Sequence, residues 1–166
     1  MPCPCNGGWF NPQLSDPVKL FAVKGLPLLW NSLVWLDRNA RLPEQKMREE
    51  LYYGSLYAGI VLSACGTAFP HPLGYVLTED FSIPHARLHG FLPAFLERGE
   101  QFEAKRAAEY YQLLGTDFGQ LCSVVERLTD TASVRMTLEQ VERYGFPLGR
   151  CSENFRVSPG GLQRRT

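Results

Sequence analysis

Residues 48–71 read REELYYGSLYAGIVLSACGTAFPH, a segment that begins charged, turns apolar and ends on a proline and a histidine. From Leu51 to Ala64 it holds no charged residue and shows no two-residue alternation, so its periodicity points to helix rather than strand. Pro43-Glu44 and the mixed charges Lys46, Arg48, Glu49 and Glu50 form a polar helix start ahead of it. A helix apolar on all sides belongs in an interior, and Gly54, Ser55, Ala58 and Gly59 allow another backbone or a cofactor to come close. The expectation is a buried central helix in dense helix packing.

Towards the N-terminus, Ser15-Asp16-Pro17 combines an N-cap residue, an acid for the positive helix end and a proline whose missing N–H costs nothing there. Leu20, Val23, residues 26–30, Leu33 and Val34 then form a broad apolar face, which Pro27 is expected to kink or interrupt. Towards the C-terminus, residues 91–97 read as helix. Ala104, Ala107, Ala108, Tyr111 and Leu114 mark a further one that Gly115 stops. Thr116-Asp117 opens the next, with Phe118, Leu121, Cys122, Val125 and Leu128 as its stripe, and Thr137-Leu138-Glu139-Gln140 starts a short last helix. Strand patterns and internal repeats are missing from the sequence. The fold class is therefore all-α, a compact helical bundle, with an irregular segment over 1–14, the helical domain over 15–150 and an irregular tail over 151–166.

Composition narrows the function. Seventeen Lys plus Arg balance seventeen Asp plus Glu, leaving no basic excess for a phosphate backbone, so nucleic acid is not an expected partner. The longest apolar run is about half of the ~20 residues that a membrane span needs. Cys3, Cys5, Cys65, Cys122 and Cys151 are odd in number and scattered, which reads as reduced thiols in a cytoplasmic protein. Cys3-Pro4-Cys5 is too tight for an ordinary zinc knuckle.

All three histidines fall within residues 68–93, AFPHPLGYVLTEDFSIPHARLHGFLP. His71 and His85 each follow a proline, which stiffens the backbone presenting them, and a metal ligand requires such stiffness. His89 lies one helical turn beyond His85, beside the metal or at the surface. Glu79-Asp80 reads as an exposed acidic turn that could alternatively supply a carboxylate. Taken by spacing alone, these histidines fit no compact zinc signature. The chain also shows no P-loop, no G-x-S-x-G and no H-E-x-x-H.

The segment PHPLGYVLTEDFSIPH (70–85) resembles the signature of the iron-containing, type III alcohol dehydrogenases. LSDPVKLFAVKGLPLL (14–29) is similar to the first helix of that family's C-terminal domain, residues 48–71 to its apolar central helix, and NFRVSPGGLQ (154–163) to the closing segment of some members. The resemblance implies the C-terminal helical domain of a metal-dependent dehydrogenase that moves hydride between a small alcohol or aldehyde and NAD or NADP. It implies Fe²⁺ or Zn²⁺ held by one Asp and three His, with His71 and His85 matching the two later histidine ligands. Tyr75 falls where members carry a further His or an aromatic on the substrate side.

Three departures accompany the resemblance. No glycine-rich diphosphate loop precedes Ser15, the family's Asp and first His just before Gly8 are replaced by Met1-Pro2-Cys3-Pro4-Cys5-Asn6, and Ala86 stands where a Gly follows the last ligand. The expectation is a truncated domain, inactive alone or completed by a separate N-terminal nucleotide-binding domain, with oligomerisation left open. The alternative is a noncatalytic helical module binding a metal ion or a protein partner, its apolar surface around Trp9, Phe10 and Phe69 exposed. A third reading makes the histidines merely structural.

Overall fold

The computed structural model describes residues 8–11, 13–66, 78–79, 81–84 and 92–130. Among these residues there are helices and no strand, as the sequence periodicity indicates. The first long helix, α1, spans Asp16–Asn39, with Ser15 at its N-cap in an extended conformation. The Ser15 carbonyl accepts from the Lys19 N–H at 2.9 Å, while its hydroxyl makes no capping bond. Pro27 lies inside α1, so of the kink or interruption expected there the interruption is absent. Its lost hydrogen bond costs about 3 kcal/mol. Burying Leu26, Leu29 and Trp30 around it offsets that cost at about 1.5–3 kcal/mol for each side chain.

Ala40 closes α1 in the left-handed conformation, at φ 48° and ψ 31°, and Pro43 is buried in the short connection that follows. Helix α2, Gln45–Cys65, returns antiparallel against α1. The crossing is tight because two glycines meet there. A Cβ on Gly25 would lie 2.9 Å from Tyr57 Cβ and 3.3 Å from the Gly54 carbonyl oxygen, and one on Gly54 would lie 2.7 Å from Leu29 Cγ. The close approach read from the small residues is thus present, and Phe21 and Tyr57 pack on one flank with ring centroids 6.1 Å apart.

Full burial of α2 is not what the structure shows. Gly54, Ala58, Val61 and Cys65 form its buried stripe, whereas Tyr52, Tyr53 and Leu56 are 67%, 50% and 47% exposed. Apolar composition alone does not specify which side finds a partner. Here the small residues turn towards α1, while Tyr52, Tyr53 and Leu56 remain outside.

Further along the chain come α3, Leu92–Phe102, α4, Ala104–Leu114, and α5, Phe118–Thr129; α3 packs on α4 and α5, and α4 and α5 pack on α1. Gly115 ends α4 at φ 64°. Asp117 caps α5, its Oδ1 accepting from the Gln120 N–H at 2.8 Å. The core joins Leu26 and Trp30 of α1 to Val61, Leu96, Tyr110 and Leu121. Trp9 and Phe10 belong to this core at 3% and 1% exposure, which overturns the reading that places them on a bare surface. Trp9 Nε1–H donates to the Arg106 carbonyl at 3.0 Å, and the Phe10 ring centroid lies 5.7 Å from that of Tyr110. Phe69, the expected helix from Thr137 and the tail from Pro147 lie outside the described residues.

Among the described residues, ion pairs tie α1 to α4 and α5. Arg127 Nε and one terminal nitrogen donate to the two Asp37 oxygens at 2.8 Å each, and Lys19 meets Glu109 at 3.3 Å. No described helix is long and apolar enough to cross a membrane.

Candidate metal centre

The histidine segment follows the C-terminal end of α2 in the sequence, and the chain around that helix end is tightly held. Gly66 follows Cys65 at φ 73°, where glycine avoids the strain a Cβ would bring, and its N–H bonds the Leu62 carbonyl at 2.8 Å. Gly8 lies against the same end of α2: a Cβ on it would sit 2.5 Å from Val61 Cγ1. Three residues on, Asn11 reaches across 54 positions of sequence and donates from Nδ2 to the Cys65 carbonyl at 2.7 Å. That carbonyl is one of the helix-end acceptors without an intrahelical partner.

Asn11 is anchored on its own side as well. Its Oδ1 accepts from the Gln13 N–H at 2.8 Å, its N–H donates to the Gly8 carbonyl at 3.1 Å, and its carbonyl accepts from the Leu14 N–H at 3.0 Å. The sequence reading passed over this residue. The available signal was Asn11-Pro12, a turn-initiating pair, but only the folded chain reveals what the side chain reaches.

His71, His85, His89 and Tyr75 lie outside the described residues, as does Asp80. Of the loop between the two proline-led histidines, Thr78, Glu79 and residues 81–84 are described. Glu79 is exposed, and Ser82 holds a left-handed backbone at φ 53°, an uncommon conformation for a non-glycine residue, three positions before His85. Thr78 Oγ1 is withdrawn from solvent without a hydrogen-bond partner. A buried hydroxyl of this kind costs about 1–3 kcal/mol unless a further group meets it.

Among the described residues, no three His, Cys, Asp or Glu side chains come together as a metal-binding group. Burial raises the Cys65 thiol above its ordinary pKa, so at neutral pH this residue offers Asn11 its carbonyl while its sulfur stays protonated. Cys122 on α5 is pushed up to about 11 by burial and by the charges of Glu126, Glu100 and Glu97. Tyr111 is raised by burial first and by the adjacent Glu100 second. Neither group is an activated nucleophile. A cavity of about 280 Å³ lined by Trp35, Arg41, Glu44, Lys46, Met47 and Glu50 lies at the opposite end of α2. The helix separates it from Cys65 by about 30 Å, so it is not part of this centre.

The Fe-containing alcohol dehydrogenase family, C-terminal, matches residues 8–143. The chain belongs to this family, and the matched region includes both proline-led histidines. An iron-containing alcohol dehydrogenase from Thermotoga maritima superposes with a TM-score of 0.79 at 18% identity, covering 97% of this chain and 43% of that one. One from Thermococcus thioreducens gives 0.62 at 20% identity, over 94% of this chain and 42% of its own. Maleylacetate reductase from a Rhizobium species gives 0.61 at 22% identity, over 98% and 45%. These likenesses establish a shared fold, and the chain spans under half the length of each of these solved structures. No curated protein matches.

Proposed function

We propose that this chain is the metal-ligating helical part of a nicotinamide-dependent alcohol dehydrogenase, with His71 and His85 as ligands to Fe²⁺ or Zn²⁺, and that the 166 residues alone do not carry out hydride transfer. The family match across residues 8–143 is the observation that carries this reading. Two neutral imidazoles suit either ion and fill only part of its coordination shell. When bound, the ion supplies positive charge for the substrate oxygen during hydride transfer to NAD or NADP. The chain's own part is to bind and orient. The end of α2, clamped at Cys65 and followed by Gly66, fixes where the loop begins, and the orphaned Thr78 hydroxyl fits a polar occupant beside that loop. Tyr75 and His89 are proposed to flank the metal or the substrate.

The reading calls for a nucleotide-binding domain beside this one and a small alcohol or aldehyde as substrate, in the cytoplasm. The test is NAD- and NADP-linked oxidation of short alcohols by the purified chain, loaded with Fe²⁺ or Zn²⁺. No turnover above the free metal is expected alone, and turnover is expected after addition of a nucleotide-binding domain from a longer family member. Turnover by the chain alone contradicts the claimed incapacity, and no recovery with any such domain contradicts the dehydrogenase reading.

One observation favours a second reading, a noncatalytic module that binds a partner: the exposed Tyr52, Tyr53 and Leu56 on α2. A strictly monomeric chain whose Leu56→Ser variant retains every association of the parent would dispose of it.

A further inference from the structure

We infer that the cavity at the turn between α1 and α2 binds a small zwitterion with an apolar body, of the class of the aromatic α-amino acids. The site is independent of the metal reading, and all its lining residues are described: Trp35, Arg41, Glu44, Lys46, Met47 and Glu50, around about 280 Å³.

The surrounding chain sets the walls. Trp35 lies near the end of α1, and its carbonyl accepts from Asn39 Nδ2 at 2.8 Å. Ala40 closes that helix with its N–H bonded to the Leu36 carbonyl at 2.9 Å, and the buried Pro43 stiffens the connection from which Arg41 and Glu44 line the cavity. Lys46, Met47 and Glu50 belong to the first turns of α2, with Lys46 and Glu50 one helical turn apart. Walls set in advance in this way leave little ordering to be done on binding.

The charges are the telling feature. Two bases and two acids line one small space, yet among the described residues they form no ion pair with one another. Lys46 and Glu50 stand in the less favourable helical order, base before acid. Glu44 is the N-cap of α2, but its side chain makes no capping bond. The neighbouring Glu49, by contrast, accepts from Gln45 Nε2 at 3.0 Å. Arg41 lies over the Trp35 ring, its guanidinium carbon 5.6 Å from the centroid, a contact that leaves its N–H donors available.

A ligand carrying one sign of charge would meet two like charges here. A zwitterion meets opposite charges at both ends, its carboxylate at Arg41 and Lys46 and its ammonium at Glu44 and Glu50. Trp35 and Met47 offer an indole face and a pliable thioether, both favourable neighbours for an aromatic ring. The volume falls at the lower end of the roughly 300–1,000 Å³ usual for ligand pockets, which suits an amino acid and is too small for a dinucleotide.

The experiment is calorimetric titration of L-phenylalanine, phenethylamine and 3-phenylpropionate into the full chain and into Arg41→Gln, Glu50→Gln and Lys105→Gln, each shown folded by circular dichroism. Lys105 is exposed on α4 and does not line the cavity, so its variant controls for a charge lost elsewhere. The parent is expected to bind L-phenylalanine saturably and each singly charged analogue about tenfold more weakly, as one charge-assisted hydrogen bond fewer implies. Arg41→Gln and Glu50→Gln should each bind L-phenylalanine about tenfold more weakly than the parent. Arg41→Gln should also narrow the preference over phenethylamine, and Glu50→Gln the preference over 3-phenylpropionate, a selective change that a general loosening of the turn would not produce. Lys105→Gln should match the parent. The inference is overturned if the parent shows no saturable binding of L-phenylalanine, if either analogue binds as tightly, if Arg41→Gln and Glu50→Gln keep the parent's affinity, or if Lys105→Gln loses as much as they do.

Discussion

Three glycines in two adjacent helices should respond to the same substitution with opposite signs. Alanine in a helix interior is favoured over glycine by about 1 kcal/mol, so each Gly→Ala change begins with that gain. At Gly59 nothing lies within 4 Å of the added methyl, and Gly59→Ala should stabilise by about 0.5–1 kcal/mol. At Gly25 the methyl meets Tyr57 Cβ at 2.9 Å and the Gly54 carbonyl oxygen at 3.3 Å, neither at the free end of a flexible side chain. The helices must separate, and overpacking of this kind costs about 1–3 kcal/mol before the propensity gain is subtracted. At Gly54 the obstacle is Leu29 Cγ at 2.7 Å, on a side chain only 2% exposed and unable to swing aside. Gly25→Ala and Gly54→Ala should therefore be net destabilising, about 2 kcal/mol below Gly59→Ala at the centre of these ranges. For a domain of this size that gap corresponds to about 4–8 °C in Tm. Urea and thermal unfolding of the three variants provide the assay. A stabilised Gly25→Ala, or a Gly59→Ala that melts with it, would refute the tight α1–α2 crossing.

Other expectations follow from single features. Ala40→Gly should stabilise by about 0.5–1 kcal/mol in urea titration, because the left-handed conformation at φ 48° strains an alanine and that residue is exposed. The Arg127 guanidinium, bonded to Asp37, holds that carboxyl below its ordinary pKa of 3.8. Its contribution is therefore present above that value and fades as pH falls through the lower folded value. Asp37→Asn should lower stability at neutral pH and converge with the parent in acid, as pH-dependent urea titration will register. Alkylation of Cys122 followed by mass spectrometry should be slow at neutral pH and rise about tenfold per pH unit up to about pH 11, since burial and three glutamates disfavour its thiolate.

The helical class was legible because each helix carried a local signal. Asp117 capped α5, Gly115 stopped α4, and the stripe of α5 ran at helical spacing. The interruption read from Pro27 is absent because its penalty is local, whereas the burial that outweighs it comes from partners distant in sequence. The apolar run from Leu51 to Ala64 in α2 misled for a related reason: composition measures how much surface could be buried, and the Gly25–Gly54 contact determines which side is. Trp9 and Phe10 could not be placed without knowing that α4 presents Tyr110 and the Arg106 carbonyl to them. For the metal centre, the proline-led histidines were visible as residues, while the clamp at Asn11 was not. A hydrogen bond across 54 positions leaves no pattern in a single sequence.

Isothermal titration with Zn²⁺ tests most directly the central proposal, that His71 and His85 share one divalent ion. One ion per chain is expected, lost in both His71→Ala and His85→Ala and retained in His89→Ala. Undiminished Zn²⁺ uptake by the His71→Ala/His85→Ala double variant would contradict it.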